Sequence, residues 1–199
     1  AMGWHYRWMT EDGFIYLRIV RQVEAGNGPV FNAGERVEAY TGTLWVGVLT
    51  LADVLLPFRL EWISVVGGLL LTAAGVALAT AGSVRLWGGA RSDRWLAPAG
   101  ALLFVALTPV WSFATSGLEN GLAFAWIGGC VLALARWSGN PGPLRWPVAV
   151  LLGLAAVAKY QLLVVILPGL VLGALPSVWR GSRTLNVFVI PMLATLVVF

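Results

Sequence analysis

The stretch "WISVVGGLLLTAAGVALATAGSV", Trp62–Val84, decides the fold class. It runs for 23 residues without a charge. A helix crosses a hydrocarbon core of about 30 Å with roughly 20 residues, so this one is long enough. Outward from it the pattern repeats. Trp95–Leu118 and Tyr160–Trp179 are also uncharged. Asn120–Ala135, Trp146–Ala158 and Thr184–Phe199 are shorter apolar runs. Between longer spans, such runs read as short or tilted membrane helices. The chain is 59% hydrophobic and only 11% charged, whereas a soluble domain is about 25% charged. The pattern predicts an all-α polytopic membrane protein with six spans, at about 61–85, 95–114, 117–136, 146–159, 160–179 and 184–199. It lacks the alternating segments of a membrane β-barrel.

The arginines set an orientation. Arg85, Arg91 and Arg94 lie between the first two spans, Arg136 and Arg145 flank the next alternate loop, and Arg180 and Arg183 mark the one after. By the positive-inside tendency these three loops are cytoplasmic. Residues 1–60, the turn Ala114–Asn120 and Lys159 then fall outside. The division expected is an outer segment with juxtamembrane helices over 1–60 and a transmembrane region over 61–199. Net charge is +4. The arginines sit between apolar spans, so topology explains that charge and nucleic acid is not implied. Cys130 is the only cysteine and His5 the only histidine, which excludes a disulfide and a His or Cys metal cluster. The opening "AMGWHYRWMT" has no apolar run of the signal-peptide kind. The last apolar run stops at Phe199, and the expectation is a helix before residue 1 and more chain after 199.

Against this apolar background the block Thr10–Gly42 stands out. It holds Glu11, Asp12, Glu24, Glu35 and Glu38, five of the nine acidic residues in the chain. Asp12–Ala25 reads as an amphipathic helix, with Ile15, Tyr16, Ile19, Val20 and Val23 on one face and Arg18, Arg21 and Glu24 on the other. Gly26, Gly28 and Pro29 end it, and Asn27–Gly42 reads as loop. Thr43–Leu56 is apolar but short, and Asp53 and Pro57 interrupt it. It reads as an interfacial or membrane-dipping helix that does not cross.

Several residues here are able to carry chemistry, and each has a plainer alternative. Glu11 and Asp12 place carboxylates at the outer face, where one could act as general base on a hydroxyl. The alternative is helix capping by Thr10 or Asp12. Glu119, in "TSGLEN", could contact substrate, or simply cap a helix or end one in solvent. Lys159, alone in a long apolar region, could bind a lipid phosphate or snorkel to the interface. Arg36, with Glu35 and Glu38, reads as a solvated loop network. Of the eleven Trp residues, Trp4, Trp8, Trp45, Trp62 and Trp111 among others fall near predicted span ends, as interfacial anchors do. Sugar stacking by Trp8 or Trp45 is the other reading. No phosphate-binding loop, dinucleotide fingerprint, HExxH or GxSxG pattern occurs.

The segment "EDGFIYLRIVRQVEAGNGPVFNAGERVEAYTGTLW" resembles the first outer loop of polytopic GT-C-type glycosyltransferases that use polyprenyl-phosphate sugars. That loop carries an acidic pair, an aromatic and arginine-bearing helix, and then Gly-x-Gly-x-Val-Phe-Asn-x-Gly-Glu-x-Val-Glu-x-Tyr/Phe-Thr. "TSGLENGL" resembles a later Ser-Gly-Met/Leu-Glu-Thr/Asn element, and "RWMTEDGFIYLR" is similar to the subgroup that transfers arabinofuranose in actinobacterial cell walls. The resemblance covers about residues 7–137.

This resemblance implies a multi-pass protein of the cytoplasmic membrane, with its active site on the extracytoplasmic face. The donor would be decaprenyl-phosphoryl-arabinofuranose and the acceptor the arabinan of arabinogalactan and lipoarabinomannan. Asp12 would be the catalytic carboxylate, with Glu11 as second candidate. Arg18, Arg36, Glu38, Tyr40, Glu119 and Lys159 would bind substrate. Lys159, in "AKYQL", stands where many members carry an Arg-Pro-Glu-like element. No cofactor is implied with certainty, and a divalent cation stays open. Two other readings remain: a transferase for another polyprenyl-phosphate sugar such as mannose, and a non-enzymatic transport or assembly subunit.

Overall fold

The computed structural model describes residues 2–35, 37, 39–86 and 96–139. Arg36, Glu38, Lys159 and the spans expected from 146 onward lie outside the described residues, as do Arg91, Arg94, Arg145, Arg180 and Arg183. The described residues form seven helices and no strand: α1 (Met2–His5), α2 (Glu11–Glu24), α3 (Thr43–Leu55), α4 (Leu60–Leu86), α5 (Leu96–Ala106), α6 (Thr108–Phe113) and α7 (Asn120–Gly139).

α2 starts where its sequence allows a cap. Thr10 is extended, and its hydroxyl accepts from the Gly13 amide at 2.9 Å. The helix ends at Ala25, and Gly26 follows in the left-handed region at φ 79°, a conformation glycine adopts without steric penalty. Its buried side is Gly13, Tyr16, Leu17, Ile19 and Val20. This corrects the expected face: Leu17 is 1% exposed, whereas Ile15 and Val23 lie at the edge of the core. Arg18, Arg21 and Glu24 face out as expected. From α2, Arg21 reaches Glu61 of α4 at 2.7 Å.

α3 has 13 residues, about 20 Å at 1.5 Å per residue, too short for a span. Trp45, Val46 and Leu49 pack into the core with α2, while Leu51, Val54 and Leu55 are more than 60% exposed. A helix with one apolar face against protein and another uncovered suits the edge of a bilayer. α4 has 27 residues and is the one helix, among the described residues, long and apolar enough to cross a membrane.

α4 and α7 pack tightly. Gly68, Gly75 and Gly82 recur every seven residues along α4, and Gly121 and Gly128 do the same on α7. A Cβ at Gly75 would overlap the Phe124 carbonyl, one at Gly128 the Gly75 carbonyl, and one at Gly121 the Gly68 carbonyl. With only hydrogen there, the backbones meet directly, the means by which helices associate where no hydrophobic force separates protein from lipid. Gly68 faces Gly121, Gly75 faces Gly128, and Gly82 faces Leu132, so the two helices run parallel. Two spans separated by a single return would do the same.

The return differs from the single span expected over 95–114. It is broken at Leu107 into α5 and α6, with Pro109 in the first turn of α6. Proline has no amide hydrogen to give and its ring would strike the carbonyl four residues back, so a helix restarts there rather than continues. α7 begins at Asn120, leaving Thr115–Glu119 as a turn.

Candidate active site

The two motifs of the sequence meet. The Thr10 amide and hydroxyl both donate to the Ser116 carbonyl, at 2.9 and 3.0 Å. Gly13 then lies against the same turn: a Cβ there would overlap the Ser116 carbonyl, and one on Gly117 would stand 3.0 Å from the Gly13 Cα. Gly117 itself has φ 87°. The turn is held from other sides as well. The Trp8 indole donates to the Ser112 hydroxyl at 2.9 Å, the Trp45 indole to the Gly117 carbonyl at 2.9 Å, and the Ser64 hydroxyl to that same carbonyl at 3.4 Å. "TEDG" and "TSGLEN" are therefore one structure at one end of the α4–α7 pair.

Glu11 and Asp12 occupy the first turn of α2 and are exposed. The N-cap is Thr10, so the cap leaves both carboxylates out. Positive partial charge from the first amides of α2 favours anions at this point. Glu119 is only 2% exposed, which removes the reading of a solvated helix end. Its Oε1 accepts from the Thr41 hydroxyl at 3.3 Å. Beside it the Tyr16 oxygen accepts from the amides of Gly42 and Thr41, at 2.9 and 3.3 Å. Burial pushes the Tyr16 phenol up to about 12; the Thr41 hydrogen bond opposes this and the facing Glu119 carboxylate adds to it.

Of the other expected binding residues, Arg18 donates to the Phe31 carbonyl at 2.8 Å and to Asn32 Oδ1 at 2.7 Å, and its guanidinium lies 4.5 Å above the Phe31 ring. It pins the loop to α2. Tyr40 is half-buried, its ring edge-on to Tyr16 at 6.3 Å, and lines a cleft of about 550 Å³ with Asn27, Pro29, Val30 and Val37. Between α3 and α4 a second, wholly apolar groove of about 660 Å³ is lined by Val48, Ala52, Leu56, Trp62, Val66 and Leu70, among others. Among the described residues no three His, Cys, Asp or Glu side chains converge to hold a metal ion.

Trp45 corrects an expectation: at 1% exposure it is neither a lipid anchor nor a sugar platform. Tyr16 and Thr41 are the polar residues that sequence reasoning missed. Tyr16 read only as part of an apolar face, although a tyrosine in the middle of a buried stripe needs a partner for its hydroxyl, and that need was the available signal. Arg7, whose guanidinium lies 4.8 Å from the Trp4 ring and 5.5 Å from that of Trp62, was also missed.

No protein-family model matches the chain, and no solved structure does. Two curated relatives do. One is the terminal beta-(1->2)-arabinofuranosyltransferase of Mycobacterium tuberculosis, 43% identical over 146 residues, which is 72% of this chain and 23% of the relative. The other is the protein of the same name from Corynebacterium glutamicum, 44% identical over 136 residues, 68% of this chain and 20% of the relative. The chain thus spans between a fifth and a quarter of the length of the relatives it matches. Over some seven-tenths of its own length it is a relative of the terminal beta-(1->2)-arabinofuranosyltransferases, which are glycosyltransferases by name.

Proposed function

We propose that this chain is part of a membrane glycosyltransferase that moves arabinofuranose from decaprenyl-phosphoryl-arabinose to the non-reducing ends of cell-wall arabinan, in arabinogalactan and lipoarabinomannan. The carrying observation is the assembly of the acidic pair of α2 on the Thr115–Glu119 turn, in a chain similar to proteins named for arabinofuranosyl transfer. The apolar groove between α3 and α4 supports a lipid-linked donor. The cleft beside Tyr40, with polar and apolar walls, supports a sugar acceptor. The site is proposed to face the extracytoplasmic side of the cytoplasmic membrane.

The chemistry asks little of the protein. A lipid phosphate is already a fair leaving group. What remains is to take a proton from the acceptor hydroxyl and to neutralise the departing phosphate. Asp12 is proposed for the first task, with Glu11 beside it. Lys159, Arg36 and Arg18 are proposed for the second. Attack aided by one base would invert configuration at the anomeric carbon. Retention would instead make Asp12 a nucleophile or the partner of an ion pair.

The test is transfer from decaprenyl-phosphoryl-arabinofuranose to a short arabinan by the full-length protein in nanodiscs, with Asp12→Asn alongside. The expected outcome is transfer by the wild type and at least a hundredfold loss in the folded variant, on the scale of about 10²–10⁴ for a general base. Transfer by both would remove Asp12 from the chemistry. No transfer by folded wild type from any polyprenyl-phosphate sugar, with magnesium or with EDTA, would overturn the enzyme reading in favour of a transport or assembly role.

A further inference from the structure

We propose that Glu119, acting through Thr41 and Tyr16, is the positioning residue that fixes the acidic pair, and that it does so from beneath the site without touching substrate. The proposal rests on the reading of Asp12 as the reacting carboxylate.

A glutamate is almost never fully buried unless its oxygens are partnered. Glu119 is buried between three segments far apart in sequence. Thr41 Oγ1 donates to its Oε1 at 3.3 Å. The Tyr16 oxygen, which lies 3.3 Å from the same threonine hydroxyl, collects the amides of Thr41 and Gly42. No space is left over them: a Cβ on Gly42 would stand 3.0 Å from the Tyr16 oxygen and 3.2 Å from Glu119 Cδ. The carboxylate is therefore roofed by backbone, and a substrate cannot reach it without opening the loop end.

The placement along α2 gives this cluster its meaning. Thr10 stands two residues before Asp12 and is tied to the Ser116 carbonyl. Tyr16 stands four residues after Asp12, about one helical turn, and its hydroxyl belongs to the Glu119 cluster. Both ties lead to the same turn, at Ser116 and at Glu119, so Asp12 is bracketed. The first turn of α2 cannot slide or rotate on the turn while both hold. The second tie also fixes Thr41–Gly42, where the outer loop enters α3. Glu119 therefore sets the carboxylates and the loop that would cover the substrates in one frame. A small displacement of a reacting group, on the order of 1 Å, lowers rate by about a hundredfold.

The measurement is steady-state transfer by the full-length protein in nanodiscs. It compares wild type, Asp12→Asn, Glu119→Ala, Glu119→Gln, Thr41→Val and Tyr16→Phe, each with a thermal melt. The positioning role predicts that Glu119→Ala lowers kcat by about 10- to 100-fold with the KM for lipid donor unchanged. Thr41→Val and Tyr16→Phe should fall the same way by a smaller factor. Glu119→Gln, which keeps a carbonyl for the Thr41 hydroxyl, should stay within about threefold of wild type. If Glu119→Ala does not fold, the near-isosteric Thr41→Val and Tyr16→Phe decide alone, and wild-type kcat in both overturns the proposal. Glu119→Gln as inactive as Glu119→Ala also overturns it, because charge would then be acting and not geometry. A rise in KM at constant kcat would make Glu119 a substrate contact and overturn it too. In each of these cases an inactive Asp12→Asn leaves the catalytic reading standing. An active Asp12→Asn removes both readings together.

Discussion

At the scale of single residues, the site is built from contacts that leave no room for change. Gly13 is the sharpest case, since its missing side chain is where the Ser116 carbonyl lies. Gly13→Ala is expected to destabilise the folded protein by about 1–3 kcal/mol, as overpacking does, and to lower transfer activity at the same time. A melting curve in detergent checks the first and the nanodisc assay the second. Tyr16 offers a test by pH. Its folded pKa, about 12, lies above the ordinary value of 10, so its contribution is fully present below pH 10 and is lost as pH rises through 12. Melting temperature should decline over that window in the wild type, and less steeply in Tyr16→Phe. Two other residues, Glu119 and Trp45, mark the limit of reading a sequence. That the segments of Glu11, Asp12 and Glu119 belong together was legible, because their types and motifs are local, and the Thr10–Ser116 tie joins them. That Glu119 is buried was not, since the hydroxyl bonded to it lies 78 residues away. Trp45 misled because a tryptophan at a helix start looks alike whether lipid or protein covers it.

At the scale of elements, length and apolar pattern carried α2, α3 and α4 to within one or two residues of their expected bounds. The interior faces were harder. Leu17 is buried because α3 and the start of α4 close over α2, a tertiary fact that periodicity alone does not contain. The break at Leu107 had a visible cause in Pro109, but proline is also tolerated inside membrane helices. The seven-residue glycine series on α4 was likewise visible, though not its partner. That seam gives a paired prediction. Gly75→Leu should separate α4 from α7 and lower the melting temperature by several degrees, since a side chain there meets the Phe124 backbone. Ala77→Leu, two residues on and exposed, should change it by less than about 1 °C. Equal effects in the two variants would mean that the glycines are not the contact that holds these helices.

At the scale of the whole molecule, the charge pattern predicts which side of the membrane the outer segment occupies. Cys130 is buried, so a cysteine placed at Ala33, in the exposed loop, would be the one accessible thiol among the described residues. In spheroplasts an impermeant maleimide should label Ala33→Cys without lysis. Labelling only after lysis would invert the proposed topology. The tie between Thr10 and Ser116 has a further consequence, in time. The two residues are 106 positions apart. A ribosome working at roughly 5–20 residues per second needs about 5–20 s to make that interval. Until the turn before α7 has been synthesised, α2 can pack on α3 and the start of α4, but its acidic first turn lacks the Ser116 carbonyl that ties it down. A nascent chain halted before residue 116 therefore carries its carboxylates without the partner that orients them, and the site comes into being only after that turn has been made.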